Sequence, residues 1–419
     1  PEQPGQPQRS GTGLGLETLN RLRPGPIGTS RRFVPEVRNF GGHQVQINAV
    51  QYRAGAWSPD LPVVGPGTLV GFAFGGVAFG DDPTPYLELR RRYPGLTLVG
   101  CSSSGEIFGD EVADDTISVA LISFERTTVR AVSAPIDDPA QSAAIGAQLG
   151  SQLTDPSLAG VIVLSDGLTV NGSMLAAGLG SHLREGVVIA GGLAGDGDRF
   201  ERTWTLVEGR PAHGHVSAIG FYGDAVRLGH GSAGGWQQFG PRRHVTRAEA
   251  NVVYELDGQP ALELYKTYLG DRAAGLPATA LLFPLRVQED TGTALVRTIL
   301  GVNEDDQSMV FAGDVPQGST AQLMRASLDS LIDGAEDAAG ALDPDGAGPR
   351  LCLAVSCVGR RMVLGQDCEE ETEATLRLLP PDTTQVGFYS YGELGPTDTA
   401  PCELHNQTMT LTTIAEVTP

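Results

Sequence analysis

Short apolar runs recur along the chain, and most of them end in small or polar residues. The runs GTLVGFAFGG (67–76), LTLVGCSSSGEI (96–107) and GVIVLSDGL (160–168) have the length and composition of buried strands. The stretch 386–413 predicts a strand, a tight Gly turn bearing a carboxylate, and a second strand rich in β-branched residues. Each of these strands therefore ends in groups that do not belong in an apolar core.

Helical segments separate the strands in a recurring order. Residues 83–93, 139–153 and 171–183 predict helices, with Asn171 as the N-cap of the last one. Alternating segments follow, and we expect hairpins at 116–135 and at 202–224. The order strand, helix, strand, hairpin thus occurs twice, which indicates an internal duplication.

The last hundred residues predict a third copy. A hairpin at 309–327, a helix at 328–342 and a strand at 351–360 precede VGFYSYGEL, which is similar to the earlier VGCSSSGEI. If the repeat is real, Ser165 and Ser356 lie at equivalent strand ends. Residues 251–270, which precede this copy, have apolar positions at helical spacing and predict an amphipathic helix.

These patterns predict an α/β fold that leans towards α+β, with mixed β-sheets covered by helices and built from repeated strand-helix-strand-hairpin units. Consecutive strands with short links disfavour an all-parallel sheet. Residues 1–32 are rich in Pro, Gly, Gln and Arg and predict a disordered arm. The Gly-rich stretch at 230–250 marks a boundary, so we divide the chain into an arm (1–45) and two domains (46–240 and 241–419).

Composition excludes several classes of partner. The net charge of −21 opposes binding to nucleic acid or to an anionic membrane surface, because phosphate recognition needs clustered Lys and Arg. No apolar run approaches the ~20 residues that span a bilayer. The abundance of Ala, Gly and Pro is typical of coding bias in a GC-rich genome, which favours a bacterial origin.

The cysteines and histidines give no sign of a disulfide framework or a metal site. The chain has five cysteines, an odd number at low density, and no Cys/His cluster with zinc spacing. No P-loop or GxGxxG fingerprint is present, so we expect neither a metal nor another cofactor. We infer a reducing, cytoplasmic compartment.

Ligands of α/β proteins collect at strand ends, and this chain has five polar clusters at such positions. The candidate ligand-binding residues are Cys101, Ser102 and Glu106; Ser165, Asp166 and Asn171; Asp196; Ser356, Cys357 and Arg360; and Tyr389, Tyr391, Glu393, His405 and Asn406. The alternative for each residue is a structural role, in which its side chain caps a helix or hydrogen-bonds to the backbone of a turn.

Several blocks, in order, resemble the FIST family, a sensory domain named for F-box and intracellular signal transduction proteins. The matching blocks are VGCSSSGEI (99–107), VLSDGLTVNG (163–172), AGGLAGDGDRF (190–200), NVVYELDGQPALELYKTYLG (251–270), FAGDVPQG (311–318), SCVGRRMVLG (356–365), GFYSYGELGP (387–396) and HNQTMTLT (405–412). The resemblance implies an intracellular sensory module with an N-terminal and a C-terminal FIST domain. It also implies a small-molecule ligand, such as an amino acid, and a protein partner that carries the signal.

An amino acid needs a carboxylate for its ammonium group and a cation for its own carboxylate. We therefore expect a pocket walled by 387–393, 405–406 and 356–360, in which Glu393 meets the ammonium and Arg360 binds the carboxylate bidentately. Two alternatives remain. One is a protein-interaction or scaffold module. The other is a hydrolase or transferase in which Cys357 and His405 form a thiolate pair, although we expect no enzymatic activity.

Overall fold

The computed structural model describes residues 45–289, 294–342, 348–398 and 400–417, and the predicted arm at 1–32 lies outside them. The strands are β1 Gln46–Arg53, β2 Ala56–Ser58, β3 Thr68–Gly76, β4 Thr97–Ser103, β5 Glu106–Phe108, β6 Glu111–Ala113, β7 Ile117–Phe124, β8 Thr128–Pro135, β9 Leu158–Ser165, β10 Val188–Leu193, β11 Thr205–Val207, β12 Arg210–Ala212, β13 His215–Tyr222, β14 Val226–Ala233, β15 Gln237–Glu249, β16 Val252–Leu256, β17 Gln259–Pro260, β18 Leu285–Gln288, β19 Leu295–Arg297, β20 Ile299–Asn303, β21 Ser308–Phe311, β22 Thr320–Arg325, β23 Arg350–Cys357, β24 Thr383–Ser390, β25 Gly392–Gly395, β26 Glu403–His405 and β27 Met409–Glu416. The helices are α1 Thr84–Arg92, α2 Ser142–Leu153, α3 Gly172–Gly180, α4 Ala261–Leu269, α5 Leu328–Gly340, α6 Val358–Leu364 and α7 Cys368–Leu378.

Three units share one strand order. Unit 1 spans 46–124, unit 2 spans 128–222, and unit 3 combines 226–233 with 328–416. Their sheets have the orders β4-β3-β7-β1, β10-β9-β13-β8 and β24-β23-β27-β14. In each sheet the first two strands are parallel, and the third strand is antiparallel to both the second and the fourth, so the fold is α+β with mixed sheets. The predicted fold class and its repeated units are confirmed.

Each unit gives its hairpin to the sheet of another unit. The hairpin β5–β6 extends the sheet of unit 3 by pairing with β24, β11–β12 extends that of unit 1 through β4, and β25–β26 extends that of unit 2 through β10. The exchange closes on itself, because every unit is both donor and acceptor. No unit therefore has a complete sheet by itself.

One glycine per unit fixes a common register. A Cβ added at Gly100, Gly191 or Gly387 would lie 1.9, 1.8 or 1.8 Å from a carbonyl oxygen of the neighbouring parallel strand, so only glycine fits. Counted from these glycines, Ser165 and Ser356 occupy the same register position on β9 and β23. The prediction that they lie at equivalent strand ends is confirmed.

Aromatic side chains join the three sheets in the interior. The rings of Phe72 and Phe221 stack at 6.5 Å between units 1 and 2, and those of Phe74 and Phe388 stack at 4.6 Å between units 1 and 3. All four side chains are at most 1% exposed. Stacked aromatic pairs add to the free energy gained from their burial, so these contacts hold the sheets together.

A fourth sheet is inserted within unit 3, between β14 and α5. We call residues 237–325 the inserted sheet. Its strand order is β19-β18-β22-β15-β16-β21-β20, with β17 beside β16. Helix α4 packs Leu262 and Tyr265 into a core that also contains Ile299 and Phe311. The predicted domain boundary at 240 falls inside β15.

Three local predictions are wrong. The strands at 116–135 form no hairpin, because β7 joins the sheet of unit 1 and β8 that of unit 2. The strands at 309–327 are likewise unpaired with each other, since β21 lies between β16 and β20 whereas β22 lies between β15 and β18. Residues 251–260 form β16 and β17 rather than a helix, and only 261–269 are helical. In the first two cases non-local strand pairing overrides the local pattern, and in the third β16 pairs with its chain neighbours β15 and β17 as well as with the distant β21.

Candidate functional site

A cavity of about 590 Å³ lies between unit 3 and the inserted sheet. Its walls come from the end of β14 and the turn after it, from β19, from the C-terminal end of α5, from the loop after β25, and from the chain between β26 and β27. The lining residues are His230, Gly231, Ser232, Gly234, Gly235, Trp236, Ala294, Leu295, Val296, Ala341, Pro396, Thr397, Asp398, His405, Asn406 and Thr408. A cavity of this size accommodates a small organic molecule.

A glycine turn after β14 shapes one wall. Gly235 has a φ of 73°, and a Cβ there would lie 1.7 Å from the carbonyl oxygen of Ser330 at the start of α5. The close approach requires glycine and sets the direction of the next residue, Trp236. The Trp236 Nε1–H donates to the carbonyl of Gln407 at 2.9 Å, which fixes the indole against the chain that enters β27.

Two histidines stand on neighbouring walls. Burial lowers the pKa of His230 to about 3, with the charge of His405 adding to the effect, and burial lowers the pKa of His405 to about 4. Both imidazoles are therefore neutral at pH 7. The Nε2 of His405 lies 3.3 Å from the carbonyl of Gly395, so this nitrogen carries the proton and Nδ1 is an acceptor. The ring nitrogens of His230 are buried and have no hydrogen-bond partner among the described residues.

Asn406 connects the cavity to the inserted sheet. Its side chain is 1% exposed, and its Oδ1 accepts from the backbone N–H of Thr298 at 3.4 Å. Its Nδ2 has no partner within the described part of the chain. Nearly all buried amide donors in proteins are paired, so an unpaired one beside a cavity is a group that a ligand can satisfy.

Glu393 lies directly behind this wall, but both of its oxygens are already bound. Ser390 Oγ donates to Oε1 at 2.5 Å, and the N–H and Oγ1 of Thr408 donate to Oε2 at 3.1 and 2.9 Å. Burial raises the pKa of Glu393 to about 7. The sequence led us to expect a ligand ammonium group at Glu393, whereas the donors that its carboxylate meets in the structure are Ser390 and Thr408.

Glu106 repeats this arrangement in unit 1. Ser103 Oγ donates to its Oε1 at 2.8 Å, and the N–H and Oγ1 of Thr116 both donate to its Oε2 at 2.9 Å. Burial raises the pKa of Glu106 to about 8. In both units the carboxylate ties the exchanged hairpin to the start of the strand that follows it, so the similarity of the two sequences has a structural cause.

Arg360 belongs to a second buried network, inside α6 rather than at a strand end. Its guanidinium donates to Glu371 Oε2 at 3.0 and 2.7 Å, and both side chains are fully buried. Its remaining N–H groups donate to the carbonyls of Gly234 and Leu331. Ser356 Oγ and the Tyr389 hydroxyl donate to Glu371 Oε1 at 2.9 and 2.7 Å. Glu371 is thus the centre of this network.

Three more candidate residues satisfy backbone groups in unit 2. Asp166 accepts from the N–H groups of residues 168 and 169 and from the hydroxyl of Thr203, Asn171 caps α3, and Asp196 accepts from the N–H groups of residues 200–202 and from the Tyr391 hydroxyl. Tyr391 thereby fixes a loop of unit 2 from unit 3.

The remaining candidates are small buried groups. Ser102 Oγ accepts from the N–H of Trp204 at 3.1 Å, and Ser165 Oγ donates to the carbonyl of the next residue at 3.0 Å. Cys101 and Cys357 are free and buried, and burial raises the pKa of each thiol. A neutral Cys357 thiol is a poor nucleophile at pH 7, which gives no support to a Cys357–His405 pair.

Of the fifteen candidates, only His405 and Asn406 line the cavity. Sequence reasoning missed His230, Trp236 and Glu371. The first two stand in the Gly-rich stretch that we interpreted as a boundary, where a His and a Trp among glycines were the available signal. Glu371 stands in the acidic run CEEETE, which is typical of a solvated helix face.

Neither a metal centre nor a spanning helix is found in the described ranges. No group of three or more His, Cys, Asp or Glu side chains there could hold a metal ion. None of the helices described is long and apolar enough to cross a membrane.

Comparison with known proteins identifies two domain profiles. The profile of the FIST N domain matches residues 70–259, and that of the FIST C domain matches residues 261–396. An uncharacterized protein of Methanocaldococcus jannaschii is 22% identical over an alignment of 338 residues, which covers 73% of this chain. The chain spans 62% of the length of that relative.

Proposed function

The chain belongs to the FIST family, which is associated with sensory signal transduction, and on that premise we propose that it binds a small ligand in the cavity between unit 3 and the inserted sheet. The ligand is an amino acid or a related metabolite. The bound state is read by a protein partner in the cytoplasm.

The observation that carries this proposal is the state of the polar groups on the cavity wall. Asn406 Nδ2 and both ring nitrogens of His230 are buried without partners among the described residues. An unsatisfied buried polar group costs about 1–3 kcal/mol, and a ligand that supplies its partner recovers that free energy on binding. Of the predicted ligand-binding residues, we propose that His405 and Asn406 contact the ligand.

Hydrogen bonds connect the same wall to the inserted sheet, so a ligand can affect a surface that a partner contacts. Asn406 accepts from Thr298 of the inserted sheet, and Arg297 of that sheet donates to the carbonyl of Leu404 at 2.8 Å. A ligand held by Asn406 and His405 therefore bears on the contacts through which the inserted sheet docks on unit 3. We propose that a partner senses the ligand through the position of the inserted sheet.

A thermal-shift screen of amino acids and related metabolites tests the site. Ligand at a hundredfold excess over Kd stabilises the folded chain by about 2.7 kcal/mol, which a melting curve detects readily. We expect the screen to find stabilising compounds for the parent chain and for Ala144→Trp, which adds an indole on an exposed face of α2. The same compounds should fail to stabilise Ala294→Trp, which fills the cavity. Equal stabilisation of both variants would place the ligand elsewhere.

A further inference from the structure

The charges around the cavity restrict the chemistry of its ligand. Asp398 is the only carboxylate among the described lining residues, and no Lys or Arg lines the cavity there. Ala341 is the C-cap of α5, and the carbonyl groups at a helix C-terminus carry partial negative charge. The buried Arg297, whose charge acts on His405, does not line the cavity and donates to Glu403 and to the carbonyls of Asp314 and Leu404. The lining itself is therefore electronegative.

The hydrogen-bonding groups of the lining are mostly acceptors, which also favours a cationic ligand group. His405 Nδ1 and the Asp398 carboxylate accept, and a neutral His230 supplies one acceptor and one donor. Asn406 Nδ2 is a neutral donor. A ligand carboxylate would leave water without meeting a cation, which is unfavourable. A ligand ammonium would meet one carboxylate and imidazole acceptors.

Trp236 adds an aromatic surface. Its Nε1–H is already bound to the carbonyl of Gln407, so the indole offers the cavity an apolar ring rather than a donor. Indole rings attract cations and pack against apolar groups. The neighbouring Leu295 and Val296 extend this apolar surface.

We propose that the cavity takes a primary amine with an apolar or aromatic body and no free carboxylate. This proposal rests on the proposed function, because it names the ligand class of the same cavity. Among the ligands proposed above, it selects metabolites related to amino acids that keep the amine and lack the carboxylate, because an amino acid itself needs a cation for its carboxylate.

Three probes that share a phenyl ring separate these possibilities. Phenethylamine carries the ammonium alone, phenylalanine carries both charged groups, and hydrocinnamate carries the carboxylate alone. Titration calorimetry on the full chain should give the highest affinity for phenethylamine, a lower one for phenylalanine and the lowest for hydrocinnamate. Asp398→Asn should weaken phenethylamine binding about two- to fivefold, the range of an exposed ion pair. Asp60→Asn, an exposed control away from the cavity, should leave it unchanged.

The outcomes distinguish this inference from the site itself. Tighter binding of phenylalanine or hydrocinnamate than of phenethylamine, abolished by Ala294→Trp, overturns the ligand class and retains the site. Phenethylamine binding that persists in Ala294→Trp overturns both. Failure of all three probes to bind overturns the ligand class, and the wider metabolite screen on Ala294→Trp then decides the site independently.

Discussion

The buried networks around Glu393 and Glu371 and the cavity wall are adjacent regions of the molecule, yet their buried polar groups are in opposite states. In the networks around Glu393 and Glu371 every carboxylate oxygen accepts at least one hydrogen bond. On the cavity wall Asn406 Nδ2 and the nitrogens of His230 have no partner within the described residues. Thr408 separates the two regions, since it donates to Glu393 and also lines the cavity.

The repeat explains why the two regions differ. Glu106 makes the same set of contacts in unit 1, where β6 of its hairpin packs against α7 and the carbonyl of Asp110, in the turn before β6, accepts a hydrogen bond from Thr372 Oγ1. The hairpin of unit 3 instead meets the inserted sheet. Satisfied groups that recur in two units maintain the fold, whereas unsatisfied groups found beside the insertion are available to a ligand.

The largest expected effect is on stability, at Arg360. Replacing Arg360 by Ala leaves the fully buried Glu371 unpaired, which should lower the free energy of unfolding by about 3–5 kcal/mol. Arg377 is a control, because it pairs with Glu336 while both side chains are more than a third exposed, and its replacement by Ala should cost about 1 kcal/mol or less. Urea denaturation measures both. If Arg360→Ala kept its stability and lost only ligand, Arg360 would belong to the site.

The two equivalent carboxylates should behave alike. Glu106→Ala and Glu393→Ala each leave three donors without an acceptor, so each should lower the free energy of unfolding by about 2–4 kcal/mol. Glu393→Gln keeps an acceptor and should recover most of the loss. A stable Glu393→Ala beside an unstable Glu106→Ala would break the equivalence of the two units.

The cavity histidines should make stability depend on pH. The unfolded chain takes up protons below the usual histidine pKa of 6.5, whereas folding holds the pKa of His230 at about 3 and that of His405 at about 4. The contribution of the two histidines to stability is therefore fully present above pH 6.5 and is lost as the pH falls, by about 1.4 kcal/mol per pH unit for each imidazole. Replacing both by Gln should flatten this decline, and replacing the exposed His182 by Gln should not.

The buried carboxylates have the opposite effect on the pH dependence of stability, and the comparison of parent and variants removes it. Burial raises the pKa of Glu106 to about 8 and that of Glu393 to about 7, so the folded chain retains protons that the unfolded chain loses. Their effect lowers stability as the pH rises from 4.5 to 8. Because it is present in parent and variants alike, the difference between their denaturation curves isolates the histidines. An equal slope in both would show that the imidazoles are solvated in the folded state.

The strands and helices with strong local patterns were predictable, and so was the repeat. The Gly-Glu pairs at 105–106 and 392–393 identified equivalent turns, and Asn171 was recognised as a cap. The exchange of hairpins was not predictable, because the pairing partners of β5, β11 and β25 lie in other units. The strand β16 was mistaken for a helix because Val252, Val253 and Leu256 also fit helical spacing.

The site was predictable only in part. His405 and Asn406 were found because polar residues follow an apolar strand. Glu393 and Arg360 also follow apolar strands, so the same pattern selected them. The sequence does not show which of these polar groups find hydrogen-bond partners in the fold. The contribution of the inserted sheet depends on contacts between distant residues, such as Thr298 with Asn406, which leave no local pattern.

The most direct test measures stability and binding together in Asn406→Ala, with the exposed Asn303→Ala as control. The contact of Asn406 with Thr298 is 3.4 Å long, so its loss should lower the free energy of unfolding by about 1 kcal/mol or less. The rise in Tm caused by compounds from the metabolite screen should disappear in Asn406→Ala and remain in Asn303→Ala. A full rise in Tm in Asn406→Ala would contradict the assignment of the cavity wall to ligand binding.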